Sequence, residues 1–303
     1  MDKHRRWPAL LLAILFFQVA ASCVQAEVLF ERESPYNLVR VTQEGDYRYL
    51  SFDETRGSQS VINVNDLEEL RFAYTRAMFL SLAFLDRLPE KVLLVGLGGG
   101  TMPRILHKHL PSAAIDVAEL DPIVLEAAKN FFFFKTSPRM KVTVQDGRQF
   151  LHRSQEKYDL IMLDAYNNQA IPFHLTTVEF FRIVKDHVKP GGVVASNVWS
   201  PYSNRYHYSH IKTLQQVFKH LFAIQAVGSG NYVFLSTDQL LRLTRNELKT
   251  KALRLYEQLH LSIQGDEFAD TFEDYTDRDV NAPILTDDFA PVDLLRSQRT
   301  NEP

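Results

Sequence analysis

Val92-Leu93-Leu94-Val95-Gly96-Leu97-Gly98-Gly99-Gly100-Thr101 runs an apolar strand directly into glycines that open a helix. Glycines there let the backbone turn sharply and approach a ligand without Cβ interference, at a helix end whose N–H groups point outward. Strand and helix patterns alternate around this loop. Lys91 to Val95 reads as a buried strand, Met102 to His109 as a helix, Ile115 to Ala118 as a strand, and Ile123 to Phe132 as a helix opened by Asp121-Pro122. Val142 to Val144, Leu160 to Leu163 and Val193 to Ser196 read as further buried strands. Such alternation predicts βαβ units and an open α/β fold with a parallel sheet. A helix over Asn204 to Leu221 and strands near Ala223 to Val227 and Tyr232 to Leu235 complete the expected sheet, with one more helix and an acidic, irregular tail after Thr244.

Ligands of open α/β sheets bind where the carboxyl ends of the strands meet, and the strand-end residues here are acidic. Glu119 lies twenty-one residues past Gly98, at the end of the second strand, where a carboxylate can accept both hydroxyl protons of a ribose. Asp146, followed by Gly147, ends the third strand and is placed to accept from an adenine amino group. Asp164 ends the fourth and introduces a loop, Ala165 to Pro172, long enough to cover a site. Any one of these acids alone is more often a cap, but the ordered set predicts a nucleoside site. Thr101 stands where a dinucleotide fingerprint asks for Gly or Ala, which lowers the reading of a nicotinamide cofactor. Thr176 with Glu179 reads as a capping box, His174 as a packing or hydrogen-bonding residue before a helix, and Lys189-Pro190-Gly191-Gly192 as a turn.

Upstream, Val28 to Phe30, Leu38 to Val41 and Tyr47 to Phe52 predict a small antiparallel sheet, with Glu44-Gly45-Asp46 as a turn. Leu67 to Leu88 has helical spacing and closes at Pro89. Three parts follow: a leader over residues 1–26, a small β domain over 27–66, and a nucleoside-binding domain over 67–303.

In the leader, Lys3-His4-Arg5-Arg6 precedes an uncharged run, Trp7 to Ser22. Three readings stay open: a secretory signal cleaved after Val24-Gln25-Ala26, a lipoprotein box ending at Cys23, and an uncleaved anchor. All three put the folded part on the exported or periplasmic side of a membrane, and a non-functional leader leaves it cytoplasmic. The net charge of −3, with both signs interspersed, excludes a phosphate-binding field and hence nucleic acid as a partner. No metal-ligand spacing is evident.

These residues resemble the spermidine synthase-like aminopropyltransferases, the polyamine synthase family. The resemblance runs from about Ser34 to Val198 and returns at Leu285 to Asp293. It implies a Rossmann-like, class I methyltransferase-type sheet behind a small N-terminal antiparallel β domain, and it also implies a homodimer. The co-substrate implied is decarboxylated S-adenosylmethionine, or S-adenosylmethionine itself, with a small-molecule amine as acceptor and no metal. By the same resemblance Gln59, Gly96, Gly98, Gly100, Glu119, Asp121, Asp146 and Gly147 would hold the nucleoside, and Tyr74 and Asp164 would face the amine. Three positions depart from the family pattern: Gly99 and Asn167 stand where the family has Asp, and Arg76 where it has Glu. Asn can neither balance a charge nor take a proton, so a diamine would meet a less acidic pocket. Two functions are therefore expected in competition, a transferase alkylating an amine and a non-catalytic nucleoside- or polyamine-binding relative attached to a membrane or exported.

Overall fold

The computed structural model describes residues 26–53, 57–166, 171–263 and 266–288. Residues 1–25 of the predicted leader, Asn167, and Phe289 to Asp293 of the C-terminal resemblance lie outside the described residues. Among the described residues no helix is long and apolar enough to cross a membrane.

Four strands open the described chain: β1 (Glu27–Glu33), β2 (Leu38–Glu44), β3 (Tyr47–Ser51) and β4 (Ser60–Asn63). They pair antiparallel in that order, and Gly45 (φ 57°) makes the tight turn between the second and third. Side chains alternate across a strand, so Val39, Val41, Leu50 and Ile62 share one apolar layer. The short α1 (Ala73–Phe79) then leads to β5 (Lys91–Val95), α2 (Thr101–His109), β6 (Ala114–Glu119), α3 (Pro122–Phe131) and β7 (Met140–Val144). The apolar layer of the first sheet closes on Val124 and Ala127 of α3 and on Phe132 just beyond it, which fixes that sheet over the glycine loop.

After α4 (Gly147–Arg153) come β8 (Tyr158–Leu163), α5 (Val178–Asp186), β9 (Val188–Trp199), α6 (His207–Val217), β10 (His220–Ala226), β11 (Asn231–Thr237), α7 (Arg245–Gln258) and the two-residue β12 (Glu273–Asp274). The second sheet has the order β12-β10-β11-β9-β8-β5-β6-β7. The five strands from β9 to β7 are parallel, and β11 inserts antiparallel between β9 and β10. This is the Rossmann-like, class I methyltransferase-type arrangement. Leu94, Leu160 and Met162 belong to the apolar layer on one face, and Leu93, Val95, Ile161 and Leu163 to the layer on the other. With both faces covered, β8 is buried along its whole length, which is why its sequence is apolar but for Asp159, whose carboxylate accepts from the Glu90 and Lys91 N–H groups and from Lys189.

Four local expectations are corrected and a strand is added. The helix expected from Leu67 is confined to Ala73–Phe79 and a tight 3-10 turn, Leu80–Phe84. Residues before it are held out of helix by their side chains: Glu68 pairs with Lys108 and His109 on α2, Glu69 accepts from Tyr47 and Asn63, and Arg104 donates to the Leu67 carbonyl. The helix expected through Leu221 stops at Val217, because Phe218 is extended (ψ 148°) and β10 begins at His220. Lys189 to Gly192 falls within the bounds of β9 but bulges from its pairing between Val188 and Val193 with Gly191 left-handed (φ 79°), so the turn read there sits inside the strand and not before it, and a Cβ at Gly192 would lie 3.0 Å from the Asp159 carbonyl oxygen. Thr177, not Thr176, caps α5, accepting from the Phe180 N–H, while Glu179 accepts from the Asp287 N–H. Ser60–Asn63 adds a fourth strand, paired with β3, to the three named from the sequence.

Candidate active site

The carboxyl ends of β5, β6, β7 and β8 open onto one cleft of about 1090 Å3. Gln59, Tyr74, Gly96, Gly98, Glu119, Asp121, Asp146, Gly147 and Asp164 all line it. Gly100 does not. It caps α2 in the left-handed region (φ 75°), and a Cβ there would meet the Phe134 ring at 2.5 Å. Gly99 is likewise set by packing, since its added Cβ would come 2.7 Å from Phe132. An acid at position 99 therefore has no room unless Phe132 moves, and the phenylalanine run at 131–134 accounts for that departure from the family pattern.

Gly96 and Gly98 shape the cleft wall. Gly96 has φ 100°, and a Cβ on it would fall 2.2 Å from the Asp164 carbonyl oxygen. We expect Gly96→Ala to cost roughly 3 kcal/mol through a strained φ and displaced backbone, read as a lower denaturation midpoint. Ser60 on β4 donates no slack either: its Oγ accepts from the Gly99 N–H at 2.8 Å, tying the first sheet to the loop.

Glu119 is 8% exposed, with Oε2 accepting from the Leu97 N–H and Oε1 from the Asp121 N–H, both at 2.8 Å. Burial pushes its carboxyl up to about 7 against the pull of those hydrogen bonds. With the Leu120 N–H also drawing on the carboxylate, lone-pair capacity still remains for a hydroxyl in the cleft. Asp121 is buried and committed: one oxygen caps α3 through the Ile123 N–H and the other accepts from Ser34 of the first sheet. Asp146 caps α4 through the Gln149 N–H at 3.0 Å and accepts from His174 Nε2 at 2.7 Å. Those bonds outweigh its burial and hold its carboxyl below the ordinary range. His174 thus has a hydrogen-bonding partner at the site, in keeping with its reading as a packing or hydrogen-bonding residue.

Asp164 sits among neutral donors. Asn197 Nδ2 donates to its Oδ1 at 2.8 Å, and the Tyr74 hydroxyl also hydrogen-bonds to it. Burial raises the Asp164 carboxyl, with Asn197 and Tyr74 pulling it back, and burial beside that carboxylate raises the Tyr74 phenol well above its usual value. Tyr166 stacks on Trp199 with ring centroids 4.9 Å apart and donates to the Asn197 carbonyl at 2.9 Å. Arg76 turns away from Asp164, donating to the carbonyls of Leu70 and Arg71 and lying 3.7 Å from Glu267. Trp199, Asn197 and Tyr166 were not read from the sequence. The first two stand at the end of β9, where the strand-end logic applied to β5 through β8 would have found them.

The spermine/spermidine synthase domain model matches residues 71–238. The polyamine aminopropyltransferase of Vibrio vulnificus is 32% identical over 90% of this chain and 92% of its own length. A probable spermidine synthase from Corynebacterium glutamicum superposes with a TM-score of 0.64 at 23% identity, over 75% of this chain and 86% of that one. Human methyltransferase-like protein 13, solved in complex with SAH, has a TM-score of 0.57 at 29% identity, over 62% of this chain and 92% of that one.

Proposed function

The chain belongs to the spermine/spermidine synthase family, and from that premise we propose that its cleft binds an adenosylsulfonium co-substrate and transfers an alkyl group from it to an amine. The observation that carries this reading is the convergence of the glycine wall, Glu119, Asp146 and Asp164 on one hollow large enough for an adenosine and an acceptor together. Gly96 and Gly98 let the loop backbone pack closely on Asp164 and Ser60, which forms the cleft wall. Glu119 has lone pairs free for ribose hydroxyls, and Asp146 for an amino group. The SAH bound to methyltransferase-like protein 13 supports a co-substrate of this class.

When bound, such a group supplies an electrophilic carbon next to sulfur. The chain's own task is to deliver a neutral amine to it. A free alkylamine has a pKa near 10 and arrives protonated. Asp164 meets that ammonium and takes one proton from it, which frees the nitrogen lone pair; the nitrogen then bonds to carbon as the carbon–sulfur bond breaks and its electron pair leaves with sulfur as a neutral thioether. Partial burial suits Asp164 to the role, because a raised carboxyl is a better proton acceptor. Tyr74 fixes one of its lone pairs.

Calorimetry on the purified chain with S-adenosylmethionine and its decarboxylated form, followed by mass spectrometry after addition of putrescine, tests the reading. Micromolar binding of one of them together with an alkylated amine is expected. No binding of either co-substrate would end it, and binding without product from a panel of mono- and diamines would leave a nucleoside-binding relative without turnover.

A further inference from the structure

We propose that Asn197, held in one orientation by Asn231, is a positioning residue that fixes the Asp164 carboxylate in the cleft and favours its ionised form. The inference rests on the reading of Asp164 as the acid that meets the amine.

Asn197 lies in the buried part of β9, one residue before its end at Val198, and Asn231 opens β11, its antiparallel neighbour. The register pairs Asn231 with Trp199 and Val233 with Asn197. The two asparagines are therefore diagonal neighbours on one face of the sheet, close enough for side chains to meet. Asn231 Nδ2 donates to Asn197 Oδ1 at 2.8 Å, and Asn197 Nδ2 donates to Asp164 Oδ1 at 2.8 Å. Both side chains are buried, at 3% and 6% exposure, where an amide turned the wrong way would set N–H against N–H. Asn231 thus dictates which end of the Asn197 amide faces Asp164. The Tyr166 hydroxyl on the Asn197 carbonyl and its stack on Trp199 hold the same strand end.

A carboxylate in a half-buried wall is driven toward its protonated form unless donors compensate. The groups facing Asp164 are Tyr74 from α1, Tyr166 from its own loop and Asn197 from β9. Among the described residues none of its partners is a cation, so neutral hydrogen bonds carry the compensation. Only Asn197 among them can donate but not ionise. Removing it leaves Tyr74 alone against the desolvation, and the carboxyl moves to higher pH.

The test is a carbon-13 titration of the Asp164 carboxyl in the full chain, its resonance assigned by loss in Asp164→Asn, with no amine or co-substrate present. Asn197→Ala is expected to raise the titration midpoint by about one pH unit. Asn231→Ala should raise it by less, because the amide is freed and not removed, and Asn197→Ser should restore part of the original value. If Asn197→Ala does not fold, Asn231→Ala carries the test. With turnover measured in parallel, the acidic limb of kcat/KM should move with the midpoint. A midpoint unchanged in both alanine variants would overturn the inference whatever the turnover. A midpoint that moves in protein unable to alkylate any amine would uphold the hydrogen-bonded chain and overturn the amine reading alone.

Discussion

Asp164→Asn is expected to lower kcat/KM for the amine by roughly 10²- to 10⁴-fold, the usual worth of a positioned proton acceptor, while the Kd of the adenosyl co-substrate stays within about twofold. The asymmetry follows from placement. Asp164 closes β8 beside Tyr74, Tyr166 and Asn197, whereas the lone pairs left for a ribose belong to Glu119 on β6. The substitution keeps the shape of the side chain. Its oxygen can still accept from Asn197 Nδ2, and the Tyr74 hydroxyl can rotate to accept from the new amide. What is lost is the charge that balances the ammonium and the site for its proton. Single-turnover rates and calorimetry on the same preparation check both halves. A parallel loss of nucleoside affinity would mean that Asp164 is part of the adenosine pocket and the amine is received elsewhere.

The features of this fold that could be read beforehand are those encoded by neighbours in sequence. A buried parallel strand needs an apolar run, and its end must turn polar, so Val95-Gly96, Glu119, Asp146 and Asp164 announced both the sheet and the edge where a ligand would sit. The Gly99 departure was visible as a residue type, but its cause is Phe132, which reaches the loop only after α3 has folded back across it. Asn231 was illegible for a similar reason. Its contact with Asn197 depends on the register of an antiparallel pair joined through α6 and β10, and no local pattern states that register. The segment before α1 failed differently. Its apolar spacing is helical, yet Glu68, Glu69 and Arg104 gain tertiary partners that a helix there would forfeit, and those outweigh a weak local propensity.

Glu119→Gln is expected to weaken nucleoside binding by roughly 1–3 kcal/mol above pH 8, about 5- to 150-fold, through loss of charge-assisted hydrogen bonds. The amide also sets a donor against either the Leu97 or the Asp121 N–H, each of which now meets an oxygen. In the unaltered protein the carboxyl near 7 makes affinity depend on pH: Kd should rise up to tenfold for each unit below 7, level off above it, and become flat in the Gln variant. Stability carries the same group with the opposite consequence. Its folded value lies above the ordinary 4.5, so the folded chain holds an extra proton between 4.5 and about 7, and the protein loses stability as pH rises through that window. His210 works the other way. Burial lowers its imidazole from 6.5 to about 3, so the unfolded chain is the one that gains a proton below 6.5, and stability falls as pH drops through that range. Each slope is about 1.4 kcal/mol per unit, and between 4.5 and 6.5 these two oppose each other. Removing the carboxyl by Glu119→Gln should therefore steepen the loss of stability towards low pH in denaturant titrations at pH 5 and 6, over the share that His107 and His207, also lowered by burial, contribute to parent and variant alike. Equal slopes in parent and variant would show that Glu119 ionises like an exposed acid, and a nucleoside affinity equally blind to pH would remove it from the ribose site.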